Sequence, residues 1–200
     1  MTSTHFESPR SNPITYQQIL DTDTHHVPSV LRQTSDVRFT NTDVPVTRYT
    51  TREFHELEKK KLWSRVWQMA CRSEDIPEVG DTHRYDIADH SYLIVRTAPN
   101  VIKGYYNACL HRGRMLREYD GRVEEIRCPF HGFCWELDGR LKQVPSGWDF
   151  PHVYDRAEEF QLPEVNVDTW GGFVFINPDD QCETLASFLG DLPDHFVDWD

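Results

Sequence analysis

From Trp67 to Gln143 the chain sets short apolar stretches between Gly, Pro, Asp and Asn, the texture of successive β-strands joined by turns. Residues 82–87, 91–96, 102–108, 123–127, 133–136 and 140–143 are the predicted strands. Ala88-Asp89-His90 and Asp138-Gly139 are the predicted hairpin turns, the second carrying the Asp-Gly pair that a type I′ turn favours. Residues 170–177 read as one further buried strand after a polar connection. Upstream, Thr50 and Glu53 stand at capping-box spacing, and Phe54, Leu57, Leu62, Val66 and Met69 continue as an interrupted apolar stripe. A helix is expected from there to about Trp63, with Glu56 facing Lys60 one turn on. Residues 14–20 predict a short helix within an otherwise polar stretch, and another helix is expected from Thr184.

This pattern divides the chain into a polar arm at 1–49, a mostly-β domain with a leading helix at 50–165, and the first strand and helix of something further at 166–200. The sequence stops at Asp200 without a glycine or other C-cap, which suggests a chain cut within a longer protein. Composition narrows the class of partner. A formal charge of −12 argues against nucleic acid or an anionic membrane surface. The longest strongly apolar run, 172–176, is far short of a membrane span, and no apolar signal segment is visible in 1–20. Five cysteines, an odd number without the spacing of a secreted framework, point to a reducing cytoplasm and a metal role for some of them.

The chemistry lies in two short stretches: Asn107-Ala108-Cys109-Leu110-His111-Arg112-Gly113, then Cys128-Pro129-Phe130-His131-Gly132-Phe133-Cys134-Trp135. The spacing is C-x-H, sixteen residues, then C-x-x-H. Each half follows a predicted strand and leads into a glycine, so two loops at one end of a small β-domain converge. Two thiolates and two imidazoles suit a tetrahedral zinc or a [2Fe–2S] cluster with one Cys₂ iron and one His₂ iron. One Cys and one His from each loop is unusual for structural zinc, and a binuclear cluster accommodates it readily. Gly113 and Gly132 would let the backbone approach the group closely.

The two half-motifs, with Arg112-Gly113 after the first and Trp135 and Asp138-Gly139 after the second, resemble the Rieske domain of ring-hydroxylating oxygenase α subunits. The resemblance covers roughly residues 50–200. It implies a Rieske-type fold of small antiparallel sheets with two cluster-binding loops, followed by the start of an α+β catalytic domain. It implies Cys109 and Cys128 as ligands to one iron and His111 and His131 to the other, with His131 as the candidate for electron exit. Implied partners are an NAD(P)H-dependent reductase or ferredoxin as donor and further copies of the subunit, commonly a trimer. Phe133 and Trp135 stand where respiratory Rieske proteins carry hydroxyls that bond the cluster, which implies a potential at the low end of the Rieske range.

Other residues carry blander readings. Cys134 reads as a small strand residue, Cys71 and Cys182 as core or surface thiols, and His25-His26 as solvated. His55, His83, His90, His152 and His195 lack metal-ligand spacing, and residues 145–148 are a candidate third loop over the cluster. The family's oxygen-activating Fe(II) needs two histidines and a carboxylate; beyond residue 160 the sequence holds only His195, so that site is expected outside these 200 residues. Two other readings stay open, a free-standing Rieske ferredoxin and a zinc-stabilised structural domain.

Overall fold

The computed structural model describes residues 14–34 and 43–197. These fall into two compact units: 44–188, and a smaller one holding the described residues 14–34, 43 and 189–197. In the smaller unit the expected helix forms as α1 (Tyr16–Asp21). Thr15 Oγ1 accepts the Gln18 N–H at 3.2 Å and Gln18 Oε1 accepts the Thr15 N–H at 2.8 Å, a reciprocal cap. Arg32, at the end of a 3₁₀ turn, pairs with Asp21 at 2.8 Å.

The larger unit opens with α2 (Thr47–Thr50) and α3 (Arg52–Glu58), the latter running on as a wider turn to Trp63. The cap is one residue later than expected. Thr51, in the extended conformation a cap requires, accepts the Phe54 N–H, whereas Thr50 belongs to α2 and donates its hydroxyl to the Val46 carbonyl at 3.2 Å. Glu56 pairs with Lys59 at 3.0 Å and Arg52 at 3.5 Å rather than with Lys60, because the helix widens at Lys59 and rotates Lys60 away.

Among the described residues ten strands make two antiparallel sheets. They are β1 (Gln68–Arg72), β2 (Asp81–Ile87), β3 (His90–Ala98), β4 (Val101–Tyr106), β5 (Gly121–Arg122), β6 (Ile126–Arg127), β7 (Cys134–Trp135), β8 (Leu141–Gln143), β9 (Glu164–Trp170) and β10 (Phe173–Asn177). The larger sheet has the order β1-β10-β9-β4-β3-β2-β5 and the smaller β6-β7-β8. Central β3 is buried on both faces, which explains its unbroken apolar run. Leu93 and Val95 join Tyr105, Ile126 and Trp135 in one core. Tyr92 and Ile94 join Ile76, Val174 and Ile176 in the other. The first core also contains Cys109 and Cys128, so the candidate site is seated on packed side chains rather than on free loops.

Three strands escaped the sequence reading: β1, β9 and the two-residue β5, which pairs with β2 just ahead of the predicted strand 123–127. β1 lacks clean alternation, since a bulge between Met69 and Cys71 breaks its register with β10. The predicted strand 170–177 is the second arm of a hairpin: β9 and β10 pair from Trp170↔Phe173 to Asn166↔Asn177 around Gly171-Gly172. The boundary expected between 165 and 166 falls inside β9, which pairs with β4 at Gly104↔Val165. The remaining helices are α4 (Pro151–Asp155) and α5 (Leu185–Leu189); the helix expected from Thr184 is α5, with Thr184 Oγ1 accepting the Ser187 N–H at 3.2 Å. Among the described residues no helix is long and apolar enough to cross a membrane.

Candidate metal centre

The loop that leaves β4 and the loop between β6 and β7 are built on one hydrogen-bond pattern. In the first, Cys109 N–H donates to the Arg114 carbonyl at 2.8 Å, and Gly113 N–H donates back to the Cys109 carbonyl at 2.8 Å. In the second, Cys128 N–H donates to the Phe133 carbonyl at 2.8 Å, and Gly132 N–H donates to the Cys128 carbonyl at 3.1 Å. Both closing glycines have left-handed backbone, φ +68° at Gly113 and +77° at Gly132, which a side chain would strain. Each cysteine is thus held in a tight loop by its own backbone.

The first loop has a further support that sequence reading missed. Asn107 is buried; its side-chain oxygen accepts the Leu116 and Arg117 N–H groups at 3.1 and 2.9 Å, and its amide donates to the Arg117 carbonyl at 2.7 Å and Ser91 Oγ at 3.0 Å. Four bonds from one side chain close the loop base two residues before Cys109. The signal was its place between a strand and a Cys-x-His turn, where the chain needs a buried group able both to donate and to accept.

The four predicted ligands come together, like with like. The thiols of Cys109 and Cys128 are both buried and are close enough for Cys128 to act on the Cys109 thiol. The rings of His111 and His131 meet edge to face with centroids 4.8 Å apart. Burial, then the neighbouring Cys128 thiol, pushes the Cys109 thiol up. Burial, then the charges of His131 and Arg112, pushes His111 down, towards the neutral imidazole that binds metal. Nδ1 of His111 is buried without a hydrogen-bond partner, a lone pair left for another bond. His131 is exposed, with Phe130 against its ring at 3.8 Å.

The donor set fits a binuclear cluster. A thiol pair beside an imidazole pair is the division that one Cys₂ iron and one His₂ iron require.

Neighbouring residues sort out clearly. The Phe133 ring lies against His111, whereas Trp135 is fully buried in the core with its indole N–H donating to the Phe160 carbonyl at 2.8 Å. The hydroxyl position inferred for Trp135 is therefore occupied by a core residue whose polar atom is already engaged. Cys134 is fully buried on β7, where desolvation and a bond to Glu125 push its thiol up to about 11. Of the candidate third loop, Pro145 packs beside Gly132 whereas Trp148 is exposed, and just before the loop Tyr154 Oη accepts the Val144 N–H at 3.0 Å. In the smaller unit, His25, His26 and His195 line a separate cavity of about 260 Å³.

Comparison with known proteins names the arrangement. The model of the Rieske [2Fe-2S] domain matches residues 66–152. These residues are a Rieske domain. The 2-aminobenzenesulfonate 2,3-dioxygenase subunit alpha of Alcaligenes sp. is 32% identical over 146 residues, covering 72% of this chain and 37% of that protein. The crystal structure of naphthalene 1,2-dioxygenase from Rhodococcus sp. bound to indole is 29% identical, superposes with a TM-score of 0.70, and is matched over 78% of this chain and 36% of its own. A quaternary ammonium Rieske monooxygenase, described for carnitine oxidation by gut microbiota, gives 25% identity and a TM-score of 0.70 over 77% of this chain and 42% of that one. The chain thus spans well under half the length of the relatives it matches. Similarity reaches beyond the Rieske domain itself, so the chain resembles the domain as it occurs in oxygenase α subunits more than a free-standing ferredoxin.

Proposed function

We propose that Cys109 and Cys128 hold one iron of the [2Fe–2S] cluster and His111 and His131 the other, and that this chain delivers single electrons to an oxygenase site. The observation that carries the reading is the pairing of thiol with thiol and imidazole with imidazole across two loops of matching construction. When bound, the cluster takes up and releases one electron at a time with its ligands unchanged. The protein's part is to exclude water from the cysteine side and to leave the histidine side open. Cys109 and Cys128 are 3% and 2% exposed, while His131 lies at the surface. Electrons therefore leave by His131, the most accessible of the four ligands.

The donor is an NAD(P)H-dependent reductase or ferredoxin, and the acceptor a mononuclear Fe(II) centre in the part of the relatives' length that this chain does not span. The relatives named above act on an aromatic sulfonate, an aromatic hydrocarbon and carnitine, so the substrate class is an organic molecule open to hydroxylation. Inter-subunit electron transfer, described for the quaternary ammonium monooxygenase, suits an exposed His131 and favours a homo-oligomer, a trimer by the resemblance. A cytoplasmic setting suits free thiols at the site.

Metal analysis tests the ligand set. The iron-loaded chain should hold about two irons and two acid-labile sulfides. Cys109→Ser and Cys128→Ser should each lose them, and Cys134→Ser should keep them. Stoichiometric zinc in protein purified without oxygen would overturn the reading.

A further inference from the structure

The second cluster loop carries a polar brace with no counterpart in the motif itself. Arg127, immediately before Cys128, donates from Nη1 to the Gly132 carbonyl at 3.2 Å. The same guanidinium donates from Nε and Nη2 to Glu125 Oε1, at 2.9 and 2.6 Å. Lys142, on β8, lies 3.1 Å from the other oxygen of Glu125 and also reaches Glu136 at 3.4 Å. Gly132 is therefore held on both sides, its N–H by the Cys128 carbonyl and its C=O by Arg127.

We propose that Arg127 is a positioning residue for the second loop and that Glu125 sets how much of its positive charge reaches the cluster. The inference rests on the ligand reading above, because it needs Cys128 and His131 to be ligands. Gly132 follows His131 directly, and the peptides on its two sides are pinned separately, the His131–Gly132 one through its N–H and the Gly132–Phe133 one through its C=O, which limits how far the backbone that aims the imidazole can turn. A bond from a charged donor is stronger than a neutral one, which suits a loop closed by a conformationally free glycine in left-handed backbone. Reduction adds one negative charge to the cluster, and a nearby cation stabilises the reduced form. A carboxylate bonded to that cation by two N–H groups offsets part of the effect. The Glu125 carboxyl is held down to about 2, first by Arg127 and then by Lys142, so it stays ionised throughout the working range.

The two partners should then act in opposite senses. Glu125→Gln keeps an oxygen for the guanidinium but removes the charge, and should raise the reduction potential. Arg127→Gln should lower it, alter the electron paramagnetic resonance g values, and release iron to a chelator several-fold faster. Arg127→Lys should recover most of the potential but only part of the iron retention, since lysine lacks the planar fork that reaches Glu125 and Gly132 together. Voltammetry and iron analysis of the iron-loaded chain measure all three. Potentials that stay unchanged, or move in the same direction in Glu125→Gln and Arg127→Gln while both keep two irons, overturn the proposal and leave the ligand assignment standing. A wild-type chain without a two-iron cluster overturns the ligand assignment and this proposal with it.

Discussion

The imidazole of His111 lies nearly parallel to the ring of Phe133, 8° between planes and 4.9 Å between centroids, so a residue of the second loop steadies a predicted ligand of the first. Phe133 is 5% exposed, and its own carbonyl receives the Cys128 N–H. Replacing it with Ser removes the stack and most of a buried ring, at a cost of about 3–5 kcal/mol in stability. The new hydroxyl, where it reaches the cluster, should raise the potential by roughly 40–90 mV, the equivalent of a bond that strengthens by about 1–2 kcal/mol on reduction. Phe133→Leu should cost less stability and leave the potential nearly unmoved. Denaturant titration and voltammetry of both variants separate packing from hydrogen bonding.

Asn107 makes four hydrogen bonds in a buried position. Asn107→Ala leaves two backbone N–H groups without their acceptor and should cost about 2–4 kcal/mol. The loss should be local to the first loop. Amide exchange should quicken at Leu116 and Arg117 more than in β3, and iron should leave to a chelator faster than from the parent chain.

Gly113 and Gly132 share a left-handed backbone but not their surroundings. Nothing lies within 4 Å of a Cβ placed at Gly113, whereas one at Gly132 would sit 3.2 Å from Pro145 Cγ. Gly113→Ala should therefore cost only the backbone strain, about 1–2 kcal/mol. Gly132→Ala must also shift Pro145, and should destabilise more and lower iron occupancy further. Equal losses in the two variants would mean that the third loop does not press on the second.

Burial pushes the Cys71 thiol from 9.0 up to about 12, and the Tyr92 hydroxyl from 10.0 to about 12. Folding favours the protonated form of both, so their contribution is complete below the unfolded values and is lost as pH rises towards 12. Stability should decline through that alkaline window. Urea unfolding of Cys71→Ala beside the parent should show a difference that is constant below pH 9.0 and narrows above it. A constant difference throughout would assign the alkaline decline to other groups.

Residue types and spacing by themselves determined the metal chemistry. Two thiols and two imidazoles in a C-x-H and C-x-x-H arrangement allow few groups, and local turn signals at Ala88-Asp89 and Asp138-Gly139 placed the hairpins because such turns depend on a few adjacent residues. The strands β2, β3 and β4 were legible for the same reason, as short runs bounded by breakers. The helix start slipped by one residue because Thr50 and Thr51 both qualify as caps, and only the extended backbone of Thr51 decides between them. The β9–β10 hairpin was missed although Gly171-Gly172 marks its turn, since Glu164–Trp170 is largely polar and becomes a strand through pairing with β4 and β10. Tertiary structure alone decided which residues serve the site from a distance in sequence. Asn107 bonds to Arg117, Phe133 stacks on His111, and Arg127 reaches across its loop to Gly132. These contacts depend on where two loops and two sheets come to rest, and a side chain's neighbours across such a gap leave no periodicity in its own stretch of sequence.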